Sequence, residues 1–104
     1  METLPSSRLH FSPDTLRALC ERWHVQRLLL FGSILRDDFR EDSDVDVLVE
    51  FLPGFLPTLF SFERMRRELS QVFGGREVDL LTPASIKSRL REKILGQAVE
   101  QYAA

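Results

Sequence analysis

The sequence predicts an α+β domain, a small mixed β-sheet with helices packed on one face. Stretches with strand character alternate with amphipathic helical stretches, in the order helix, strand, short helix, strand, helix, strand, helix. The chain has 104 residues, room for one compact domain over 1–104, of which 1–11 read as an irregular arm. With 43% hydrophobic and 29% charged residues the composition is that of an ordinary globular protein.

The first helix starts at Ser12-Pro13-Asp14, an N-cap followed by proline at the first helical position and an acid in the first turn. Leu16, Leu19, Cys20 and Trp23 recur at helical spacing as its apolar face, and His24 closes it. Val25 to Phe31 reads as a strand ending in an apolar run, followed by Gly32-Ser33 and a short helical segment around Ile34 to Asp37. Six of the sixteen acids lie between Asp37 and Asp46, a polar loop. In the second strand, Asp44 to Phe51, Val45, Val47 and Val49 occupy one face. The prolines and glycine of Leu52 to Pro57 forbid regular structure, and packing over the core edge is favoured over covering part of a site or meeting a partner. Thr58 caps a helix that turns Leu59, Phe62, Met65, Leu69 and Val72 inward and Arg64, Arg66 and Arg67 outward as a solvated face, until Gly74-Gly75 stops it. A third strand, Arg76 to Leu81, and a last helix from Thr82-Pro83, with Ile86, Leu90, Ile94 and Ala98 on its stripe, complete the order. Tyr102 falls in a tail expected to fray.

Several classes are excluded. A net charge of −2 offers no basic field, so direct nucleic-acid binding is not expected. The lone Cys20 rules out an internal disulfide and a multi-cysteine zinc site. No apolar run approaches a membrane span and no signal peptide is visible, so the expected location is the cytoplasm.

The chemistry lies between Leu28 and Phe51. Asp44 and Asp46, two apart on a strand, project side by side, and adjacent carboxylates repel unless a cation lies between them. Such hard oxygens suit magnesium or manganese. Gly32 bares the backbone and Ser33 can present N–H groups to an anion. A phosphate cradle beside a divalent-metal site is what a nucleoside triphosphate needs. Each part has a plain reading as well, since a D-x-D is often the wet face of an edge strand and Gly-Ser a simple turn. Asp79, an acid amid the apolar third strand, asks for a reason, and a place as third metal ligand supplies one. His10 and His24 read as surface or helix-end residues rather than ligands.

Taken together, Gly32-Ser33, ten intervening residues, Asp44-Val45-Asp46 and the later Asp79 resemble the signature of the DNA polymerase β-type nucleotidyltransferase superfamily, in particular its minimal nucleotidyltransferase (MNT) branch. Ser43 and Arg36 also look typical, and the resemblance covers essentially the whole chain. It implies the polymerase β-type nucleotidyltransferase fold and two magnesium ions (or manganese) on Asp44, Asp46 and Asp79, with Asp79 drawing the acceptor's proton. It also implies that Gly32 and Ser33 hold the phosphates of ATP while Arg36 neutralises charge. The same resemblance implies a HEPN-domain ribonuclease toxin as partner, with AMP moved to a toxin hydroxyl, a tyrosine in some members, and an antitoxin role. The alternatives are transfer to a small molecule and a binding-only antitoxin. Asp37 and Ile34, which depart from the family pattern, favour the latter.

Overall fold

A computed structural model describes residues 9–36, 39–40 and 42–104. Ser12 Oγ accepts the Thr15 N–H at 3.3 Å and Pro13 opens helix α1, Pro13–Arg22. These contacts serve backbone donors that a helix start leaves without partners. Strand β1, Val25–Phe31, follows a turn in which His24 takes φ 56°. A single 3₁₀ turn, Gly32–Leu35, and a long connection lead to strand β2, Val45–Phe51. Helix α2, Leu59–Val72, is capped by Thr58, whose Oγ1 accepts the Ser61 N–H at 3.1 Å. Gly74 and Gly75, at φ 75° and 86°, end it as expected, the Gly75 N–H reaching back to the Ser70 carbonyl at 2.8 Å. Strand β3, Val78–Leu81, a 3₁₀ turn at Pro83–Ser85, helix α3, Ser88–Gln97, and strand β4, Val99–Ala103, complete the order.

The strands form one mixed sheet in the order β3-β2-β1-β4. β1 runs antiparallel to both β2 and β4, while β2 and β3 are parallel, with α2 as the crossover a parallel pair requires. Strand alternation then sorts the side chains. Leu28, Leu30, Val45, Val47, Val49, Val78 and Leu80 meet Leu16, Leu19 and Cys20 of α1, Met65 and Leu69 of α2, and Phe73 in the larger core. Each such side chain, fully buried, contributes roughly 1.5–3 kcal/mol. On the opposite face Leu29, Leu48 and Ile86 form a smaller cluster, against which Phe31, Leu81 and the α3 residues Ile94 and Leu95 pack. The α+β class is therefore as expected, and the second face carries α3.

Other expectations fare unequally. The stretch from Thr82 to Ala98 is not one helix. It breaks at Ile86 and again at Ala98, where ψ 145° turns the chain into β4. Tyr102 is no frayed tail: it pairs with Leu28 in the sheet and is half-buried, and burial raises its hydroxyl pKa. Leu59 does not face inward but is 88% exposed, at the start of α2. Of the expected arm, Leu9 is buried and Phe11 sets its ring edge-on to Phe73 at 5.2 Å. The remainder, residues 1–8, and the end of the short helix at Asp37 lie outside the described residues. Among the described residues no helix is long and apolar enough to cross a membrane.

Candidate active site

The end of β1 and the start of β2 meet where Phe31 pairs with Asp46, and Asp46 pairs in turn with Asp79 on β3. Paired residues on neighbouring strands lie about 5 Å apart and point the same way. Asp46 and Asp79 therefore share the face that carries Leu48 and Leu81 further along the same strands. Asp44 stands just before β2, exposed, and Asp79 is exposed as well, whereas Asp46 is half-buried.

Gly32 explains the burial of Asp46. With φ 74°, a conformation other residues adopt only under strain, it lets the carboxylate lie on the backbone; a Cβ there would stand 2.1 Å from Asp46 Oδ2. Burial pushes the Asp46 carboxyl above its ordinary 3.8; the Ser33 N–H, which donates to it, pulls the other way. Asp79 and Asp44 push it further up, and Arg36 opposes them. Five of the residues singled out from the sequence thus act on one carboxyl or form it: Ser33, Arg36, Asp44, Asp46 and Asp79. The Ser33 hydroxyl is also engaged, donating to the Asp44 carbonyl at 3.3 Å.

Ile34 is fully buried in the larger core, so its side chain serves packing. Asp37 lies outside the described residues. Among the described residues no three His, Cys, Asp or Glu side chains converge as a ready-made metal centre. Asp46 and Asp79, paired on adjacent strands, and Asp44 just before β2 supply hard carboxylate oxygens, the ligand type that a divalent cation such as magnesium takes.

Two features escaped the sequence reading. Arg76, just before β3, donates through Nη1 to the carbonyls of Arg40 at 2.9 Å and Ser43 at 3.0 Å, and its guanidinium covers the Phe39 ring at 4.5 Å. It fastens the loop that delivers Asp44. The Val45 N–H bonds the Glu77 carbonyl at 2.8 Å alongside. Secondly, α3 borders the site. A cavity of about 690 Å³ beside Gly32 is lined by Leu35, Arg36, Lys93, Gly96, Gln97 and Val99. Lys93, Gly96 and Gln97 lie three and four apart on one helical face, a spacing visible in the sequence, though nothing there says where the face points.

A nucleotidyltransferase-domain family model matches residues 13–100. A "putative protein adenylyltransferase" of Methanocaldococcus jannaschii is 43% identical over 76 residues, 73% of this chain and 78% of that protein. The protein adenylyltransferase MntA of Thermococcus cleftensis is 37% identical over 83 residues, 80% and 81% of the two chains. A solved "putative minimal nucleotidyltransferase" superposes with a TM-score of 0.65 at 37% identity, over 86% of this chain and 96% of that one. Two toxin–antitoxin structures share the fold at 19% and 18% identity. One, with AMP-PNP, has a TM-score of 0.69 and covers 89% of this chain and 74% of its own. The other is a tri-AMPylated Shewanella oneidensis HEPN toxin with its MNT antitoxin, with a TM-score of 0.62 over 88% and 70%.

Proposed function

The chain belongs to the nucleotidyltransferase-domain family, as one of its minimal members, and we propose that it transfers AMP from ATP to a hydroxyl of a HEPN-type toxin, a tyrosine, and acts as its antitoxin. The observation that carries this reading is the seating of Asp46 on Gly32 beside Asp79, with Asp44 and Arg36 acting on the same carboxyl. The names of the relatives, and the AMPylated toxin among the structural neighbours, support the donor and the partner.

Asp44, Asp46 and Asp79 would hold two magnesium ions, which supply charge neutralisation at the triphosphate and at the attacking oxygen. The chain's residues do the rest. Asp79, exposed at the start of β3, accepts the proton of the acceptor hydroxyl as its oxygen bonds to the α-phosphorus. The bond from that phosphorus to the bridging oxygen breaks, and pyrophosphate leaves with the electron pair. Ser33 fixes the two ends of the D-x-D through its N–H and hydroxyl, and so sets where the acids stand. Arg36 offsets the charge that develops on the phosphates.

The test is intact-mass analysis of a co-expressed HEPN-type partner after incubation with this protein, ATP and magnesium. A gain of whole AMP masses, abolished by Asp44→Asn, with the modified residue mapped to tyrosine by peptide sequencing, is the expected result. A stable complex with no added mass overturns the transferase reading in favour of neutralisation by contact.

A further inference from the structure

We propose that Lys93 of α3 is a polyphosphate-binding residue, receiving with Arg36 the terminal phosphates of the nucleotide in the cavity between the Gly32 turn and α3. This rests on the nucleotidyltransferase reading and deepens it.

The need for a second cation follows from how the turn is used. The donors at Ser33 face the acids: its N–H goes to the Asp46 carboxylate and its hydroxyl to the Asp44 carbonyl. Magnesium on the three carboxylates would offset only part of the charge that the acids and a triphosphate bring together, so cations of the chain that face the outer phosphates add to its binding. The cavity beside Gly32 supplies such cations in its lining, Arg36 from the turn and Lys93 from α3, together with Leu35 and Val99. Its volume, about 690 Å³, lies within the range of small-molecule sites.

Helix α3 makes the lysine necessary as well as available. Gly96 and Gln97, which line the same cavity, belong to the last turn of the helix, whose carbonyl end carries partial negative charge. Without a cation from the same helix that end would repel phosphate. Lys93 itself is exposed, and among the described residues no ion pair engages it.

The experiment is calorimetric titration of the full chain with ATP and with AMP, in magnesium. Lys93→Ala is expected to weaken ATP about tenfold and leave AMP within about twofold, because the lost charge-assisted contact concerns only the outer phosphates. Lys93→Arg is expected to restore ATP binding. Equal ATP affinity in wild type and Lys93→Ala overturns the inference while the nucleotidyltransferase reading stands, and so does a parallel loss of AMP. Failure of the wild type to bind ATP removes both. Melting curves of the variants confirm that α3 is intact.

Discussion

Gly32→Ala tests how closely the site depends on one missing side chain. Two costs arise, and they are separable. The first is conformational: an alanine held at φ 74° is strained by about 1–2 kcal/mol. The second is steric. The new Cβ would stand 2.1 Å from Asp46 Oδ2 and 2.9 Å from Cγ. To regain ordinary contact the carboxylate has to retreat by about 1 Å, losing the Ser33 N–H, a charge-assisted bond worth about 1.5–3 kcal/mol. Gly74→Ala is the matched control, since Gly74 has φ 75° and open space around its Cβ position. Urea unfolding should therefore show a loss of about 1–2 kcal/mol for Gly74→Ala and about 2.5–5 kcal/mol for Gly32→Ala. Transfer of AMP, read by mass on the partner, should fall about a hundredfold or more in Gly32→Ala, the scale expected for a 1 Å misplacement of a reacting group, and stay unchanged in Gly74→Ala. A Gly32→Ala protein that keeps more than about a third of the rate would refute the reasoning. So would an equal loss in Gly74→Ala, which would trace the effect to strain alone.

Asp46→Asn bears on the crowding of the acids. A carboxyl whose folded pKa is raised contributes stability that is fully present below its unfolded value near 3.8 and is lost as pH rises through the folded value. The amide escapes that loss, so the metal-free variant should match or exceed wild-type stability at pH 7 and lose its advantage toward pH 4; lower stability at pH 7, measured in urea, would contradict this. Magnesium should raise the melting temperature of the wild type and leave Asp46→Asn unmoved. Arg76→Ala removes two hydrogen bonds to the loop carbonyls and the cover over Phe39, and should cost about 2 kcal/mol and speed amide exchange across residues 42–45. Unchanged exchange there would remove Arg76 from its role in placing Asp44.

Much of this was legible because it is local. The Ser12 and Thr58 caps, the glycine stop after α2 and the alternation of Val45, Val47 and Val49 depend on residues a few places apart, and each formed as expected. The acids were legible in part: the parallel register brings Asp79 to Asp46, while Asp44 stands just before β2, outside the strand. What stayed hidden depends on distant partners. Val99–Ala103 follows a helical stripe that ends at Ala98 and reads locally as a tail, and only pairing with the edge of β1, far off in sequence, makes it a strand. Leu59 has the right spacing to face inward, yet in the first turn of α2 it stands exposed, as Phe60 does beside it. Arg76 and Lys93 are ordinary surface cations until the fold brings a loop to one and a cavity to the other.

The position of β1 in the sheet has a consequence for folding kinetics. Its first partner, β2, follows after a single connection, so that hairpin can close early. Its other edge must wait for β4, which pairs Ala103 with Arg27 across most of the chain. Contacts of such long sequence separation slow the search for the native state. Until that pairing closes, Leu28, Leu29 and Leu30 present an unpaired apolar edge to any other strand in reach. Refolding yield is therefore expected to fall steeply as protein concentration rises, and a yield independent of concentration would show that the edge is shielded before β4 arrives.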